Sequence, residues 1–179
     1  MLRSIRKKLY FFDMDGVLAI YERHAYDPEK GPVKGIALYE HEASHYFKHC
    51  LPDPTAINML NDLLQKKDAE VFVLTTVAPH TPWAADDKRE WLSQFVPNFD
   101  SSSHLIIADC DKAETIIVKQ QLKSLNDDMI LIDDFNRNLE DWRSAGGMSI
   151  KYLNGINSQN SFDGPYIKAN ECRLGGTLI

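Results

Sequence analysis

Apolar residues follow two rhythms along this chain. Residues 9–12, 70–76, 103–108, 129–134 and 148–153 are short, nearly continuous apolar runs. Runs of this length and kind predict strands buried on both faces of a parallel sheet. Between them, apolar positions recur at helical spacing. Ile36, Tyr39, Ala43, Tyr46, Phe47 and Cys50 predict a short amphipathic helix after turn signals at Asp27-Pro28 and Gly31-Pro32. Asp53-Pro54 is a helix start, with Ile57, Leu60, Leu63 and Leu64 as the stripe and an end near Lys66-Lys67. A third helix spans about 86–96, with Trp91 and Phe95 four apart, and stops at Pro97. Asp111-Lys112 opens another, carrying Ala113, Ile116 and Ile117. The last covers about 138–145, with Leu139 and Trp142, before Gly146-Gly147. Residues 154–179 read as loop. Strands alternating with helices predict a three-layer α/β fold around five parallel strands. One domain over 1–179 is expected, with about 19–53 as a small helical insert after the first strand.

Composition narrows the picture. With 44% hydrophobic residues, the 179-residue chain can bury a core. Its net charge of -6 argues against a nucleic-acid polymer as partner. Three widely spaced cysteines, Cys50, Cys110 and Cys172, show no metal-ligand spacing and predict a reducing, cytoplasmic setting. Arg3, Arg6, Lys7 and Lys8 before an apolar run imitate a signal peptide, but Asp13 and Asp15 interrupt the run. No stretch approaches the roughly 20 apolar residues of a membrane span, so no membrane partner is expected.

The chemistry collects where the apolar runs end. The first run gives Asp13 and Asp15, the second Thr75 and Thr76, the fourth Asp133 and Asp134; Lys112 follows the third. In a parallel sheet all carboxyl ends share one edge, so these groups can converge. Clustered carboxylates repel unless a cation sits among them, and oxygen donors without His or Cys suit Mg²⁺. A hydroxyl and a lysine beside that cation would hold a phosphate, which reads as phosphoryl transfer. Each residue also has an ordinary reading. Thr75 could simply finish a strand, Lys112 could be an exposed helix lysine, and Asp134 could cap the next helix.

His41-Glu42-Ala43-Ser44-His45 matches the H-E-x-x-H zinc-peptidase pattern, and His49 adds a further step of four. Helical phase places these histidines opposite the apolar stripe. A solvated polar face, or part of a cap over the site, is the better reading.

Asp13-Met14-Asp15-Gly16-Val17, the strand ending in Thr75, then Lys112 and Asp133-Asp134 resemble the four motifs of the haloacid dehalogenase (HAD) superfamily of phosphatases. The resemblance covers residues 8–153 and implies a HAD-like Rossmannoid fold with a small cap. Glu70 to Thr76, Trp91-Leu92 with Phe95, Asp111-Lys112 and Leu153-Asn154-Gly155 are most similar to the 5'(3')-deoxyribonucleotidase (5'-nucleotidase) group. Thr75-Thr76-Val77 departs from that group's Thr-Ser-Pro, with proline delayed to Pro79. The resemblance implies a Mg²⁺-dependent phosphomonoester hydrolase working through an aspartyl-phosphate, with a nucleoside monophosphate as substrate. Asp13 would be the nucleophile and Asp15 the acid and base. Asp13, Asp15 through its carbonyl, and Asp133 would hold the metal, with Asp134 beside them. Thr75, Thr76 and Lys112 would hold the phosphate. The alternatives are a HAD phosphatase for another small phosphate ester, a non-catalytic phospho-ligand or partner-binding module, and a zinc peptidase through His41, Glu42 and His45. Tyr21, Tyr46, Phe47 and Trp83 are candidates to stack on a base.

Overall fold

In the computed structural model, the residues described are 7–20, 26–27, 31–32, 45–77, 81, 83–109, 111–155, 157 and 162–169. The elements are β1 (Lys8–Phe12), β2 (Tyr26–Asp27), β3 (Gly31–Pro32), α1 (Tyr46–His49), α2 (Pro54–Leu64), β4 (Ala69–Thr76) and α3 (Ala84–Phe95). They continue with α4 (Ser101–His104), β5 (Leu105–Ala108), α5 (Lys112–Lys119), β6 (Met129–Asp133), α6 (Asn136–Ser144), β7 (Met148–Leu153) and β8 (Tyr166–Lys168). The main sheet has six strands in the order β5-β4-β1-β6-β7-β8, all parallel.

Alternation along the strands feeds two cores. Tyr10 and Phe12 of β1 point to one face, where Met59, Leu60 and Leu63 of α2 and Trp91 and Leu92 of α3 cover them. Phe11 points to the other, against Ala113 and Ile116 of α5 and Leu139 and Trp142 of α6. The predicted three layers are therefore present, with β1 buried at the centre.

Local signals place the helix starts. The Asp53 carboxylate accepts from the Thr55 and Ala56 amides at 2.9 and 3.3 Å and so caps α2, as its sequence predicts. Asp111 caps α5 in the same way through Ala113 and Glu114. Gly146, at φ 102, ends α6 in the left-handed conformation that glycine tolerates.

Three readings change. A sixth strand, β8, pairs with β7 inside the stretch read as loop; its three residues alternate exposed and half-buried, too short a pattern to stand out. Ser103 and His104, read as strand, close the one-turn helix α4, because the Asp100 side chain accepts from the Ser102 amide and starts a helix there. Within the expected insert, β2 and β3 pair antiparallel and α1 supplies one helical turn. Ile36, Tyr39 and Ala43 of the predicted helix, and Tyr21, lie outside the described residues. No helix among the described residues is long and apolar enough to cross a membrane.

Candidate active site

The site forms where the strand ends meet. Asp13 directly follows β1, and its amide donates to Ile132 O of the neighbouring β6 at 2.9 Å. That register sets Asp13 beside Asp133, the last residue of β6. Asp134 comes next in the chain. Oxygens of Asp13, Asp133 and Asp134, all buried, lie within 4.8 Å of one another. The chain then folds back sharply: the Gly16 amide donates to Ala19 O, and Gly16 has φ 87. A Cβ at Gly16 would collide with the Asp134 carboxylate, so only glycine lets this loop lie against it.

Three buried lysines, Lys112, Lys88 and Lys151, supply positive charge. Lys112, the first residue of α5, donates to Asp13 Oδ1 at 2.7 Å and to Asp133 Oδ2 at 2.6 Å. It is not the exposed helix lysine of the ordinary reading. An ammonium has three donors, and among the described residues this one uses two of them, both on carboxylates. Lys88, on α3, donates to Asp15 Oδ2 at 2.6 Å, to Thr75 Oγ1 at 2.7 Å and to Thr76 O at 2.8 Å. Thr75 is fully buried with its hydroxyl in the site, whereas the Thr76 side chain is exposed and this residue contributes its carbonyl. The other Asp15 oxygen, Oδ1, is buried without a hydrogen-bond partner among the described residues.

Asp133 is held from further sides. Its Oδ1 accepts from the Phe135 amide at 2.8 Å, and its Oδ2 accepts from Asn138 Nδ2 at 2.9 Å. Asp134 does not cap α6; its Oδ2 accepts from Asn154 and Asn157 at 2.8 Å each. Lys151, fully buried, donates to the Asp134 carbonyl and to Asn136 Oδ1.

Burial and crowding set the electrostatics. Desolvation pushes the Asp13 carboxyl well above its usual range; Lys112 opposes this, and the nearby Asp133, Asp15 and Asp134 add to it. Asp134 is pushed up to about 6, first by desolvation and then by Asp133, against the amide bonds of Asn154 and Asn157. Burial lowers Lys112, but contact with Asp13 and Asp133 more than reverses that, so it stays an ammonium. Excess negative charge in a pocket of hard oxygen donors fits a small divalent cation. These residues suit Mg²⁺ far better than a soft metal, since no thiolate or imidazole belongs to the cluster.

The structure thus brings together Asp13, Asp15, Thr75, Lys112, Asp133 and Asp134. Lys88, Lys151, Asn138 and Asn157 escaped the sequence reading. A signal for Lys88 was present: Ala84, Lys88, Trp91, Leu92 and Phe95 share one helical stripe, and a lysine in an apolar stripe needs a buried partner.

Only His45 and His49 of the histidine pattern are described. His41 and Glu42 lie outside the described residues. His45, at φ 49, is not helical, so no helix runs through it; its Nδ1 lies 2.8 Å from Asp87 Oδ1.

No protein-family model matches the sequence, and no curated protein sequence does. Solved structures do match. A haloacid dehalogenase-like family hydrolase from Streptococcus pneumoniae superposes with a TM-score of 0.58 at 16% identity, covering 90% of this chain and 93% of that one. The fold is haloacid dehalogenase-like. The D,D-heptose 1,7-bisphosphate phosphatase of B. bronchiseptica, crystallised with magnesium and phosphate, gives 0.54 at 12% identity over 82% of this chain and 80% of that one. The Burkholderia thailandensis protein of the same name gives 0.53 at 12% identity, over 83% and 80%. At these identities the likeness concerns the fold alone.

Proposed function

We propose that the chain is a Mg²⁺-dependent phosphomonoester hydrolase. The observation that carries this is Lys112: one buried ammonium joins Asp13 to Asp133 at the edge of a three-carboxylate cluster, with two of its three donors spent among the described residues. Such a cluster fits a cation and a phosphate side by side.

Asp13 and Asp15 divide the chemistry. An Asp13 oxygen bonds to phosphorus as the ester P–O bond breaks, and the departing oxygen takes a proton from Asp15. Water then attacks phosphorus and gives a proton to Asp15, the aspartyl P–O bond breaks, and Asp13 is restored. Lys112 and the Thr75 hydroxyl hold phosphate oxygens. Asp13, the Asp15 carbonyl, Asp133 and Asp134 hold Mg²⁺, which when bound supplies the charge that lets an anionic ester approach a carboxylate.

Nucleoside monophosphates are the first substrates we propose, on the motif resemblance and on Trp83, half-buried on the segment between β4 and α3. Sugar phosphates are the alternative. The test is phosphate release from a panel of both, with Mg²⁺ and with chelator. Mg²⁺-dependent release that Asp13→Asn lowers by about 10⁴-fold or more is expected. Full activity in that variant overturns the nucleophile assignment, and no release from any ester overturns the reading.

A further inference from the structure

Lys88 is the part of the site that no motif accounts for. Its three donors are all spent, on Asp15 Oδ2, Thr75 Oγ1 and the Thr76 carbonyl. The Phe47 ring covers it, 4.6 Å from Nζ to the ring centroid, and the residue has no exposed surface. It has no donor left for a phosphate oxygen. Its placement is over-determined from α3, because the segment carrying Phe47 is fastened there. Trp91 Nε1 donates to Cys50 O at 2.7 Å, His45 pairs with Asp87, and Lys48 pairs with Glu90.

We infer that Lys88 is the positioning residue for Asp15, an inference that rests on the hydrolase reading above. By taking Oδ2, Lys88 fixes the carboxyl plane and leaves Oδ1 as the one oxygen able to exchange a proton with the ester. The buried Oδ1, without a partner among the described residues, is what this arrangement leaves for the reacting group. The same ammonium occupies one lone pair of the Thr75 hydroxyl, whose own donor reaches the Thr76 carbonyl at 3.5 Å. Phe47 keeps water from competing for Lys88, which ties the order of segment 45–50 to the aim of Asp15.

The test exploits the leaving group. An alkyl phosphate needs its departing oxygen protonated; p-nitrophenyl phosphate does not, because nitrophenolate leaves unaided. In Lys88→Met, kcat for an alkyl phosphate should fall about 10²- to 10³-fold with KM nearly unchanged. The first-turnover burst of nitrophenolate should fall less than about fivefold. Adding Lys88→Met to Asp15→Asn should cause no further loss. Lys88→Arg, which keeps the buried charge but moves it, guards against a variant that does not fold and should show the same bias. A crystal structure of either Lys88 variant should show the Asp15 carboxylate rotated. Equal losses on both esters, a rise in KM alone, an additive double variant or an unmoved Asp15 overturns the inference while leaving the hydrolase reading intact. A wild-type chain that releases no phosphate from either ester overturns both.

Discussion

The ammonium of Lys112 and the carboxylate of Asp133 meet at 2.6 Å with both side chains almost wholly out of solvent. The contact ties the start of α5 to the end of β6 and leaves Asp133 facing Asp13 across the cluster.

Lys112→Met removes that cation and strands two buried carboxylates. A loss of about 3–5 kcal/mol of stability is expected in chelator. Added Mg²⁺ should recover part of it, because a divalent ion can take over the neutralising role. Denaturation curves with and without Mg²⁺ measure this, and an unchanged midpoint in chelator contradicts it. Turnover should fall about 10²- to 10³-fold.

Asp134 predicts a pH dependence. Its folded value of about 6 lies above the ordinary carboxyl value, so between the two the native state holds more protons than the unfolded state. Stability therefore falls as pH rises through that window in metal-free protein, by a contribution on the order of 3 kcal/mol. Asp134→Asn should remove that component, so the wild-type minus variant difference between pH 4 and pH 7 is the measurement. Protons and metal compete for the same oxygens, so Mg²⁺ binding, followed by titration calorimetry, should weaken as pH drops below about 6.

Gly16→Ala forces a side chain into a left-handed backbone and against Asp134, with Asn154 Nδ2 2.8 Å from the new Cβ. A loss of about 1–3 kcal/mol is expected. Because the displaced group belongs to the acidic cluster, Mg²⁺ affinity should fall as well. A variant that melts lower yet binds Mg²⁺ normally would show that the loop does not support the cluster.

Asp53 joins two distant parts of the chain. Besides capping α2, its Oδ1 accepts from the Tyr152 hydroxyl of β7 at 2.7 Å. Asp53→Ala should cost about 2–4 kcal/mol, one cap plus one buried hydroxyl that loses its carboxylate acceptor. Tyr152→Phe, which leaves the cap in place, should cost about 1 kcal/mol. Urea denaturation of both variants checks the order, and equal losses would mean that the cap contributes little.

The legible parts of this protein were those written in neighbouring residues. Apolar runs announced the strands, two of them ending in acids. Asp53-Pro54 and Asp111 announced two helix starts through caps that need only the next three residues. Asp13, Asp15, Thr75, Lys112, Asp133 and Asp134 could be gathered on paper because a parallel sheet puts every carboxyl end on one edge. The three-residue β8 could not, since its pairing with β7 is the only thing that makes it a strand.

The division between Lys112 and Lys88 shows where local reading stops. The sequence by itself determined that carboxylates, a hydroxyl and an amine would share a rim, because period and strand order are properties of the chain. Only the tertiary structure decided which ammonium meets which carboxylate. Those pairings depend on how α3 and α5 pack against β4 and β6, and burial, which makes an unpaired charge so costly, exists only once the layers have closed.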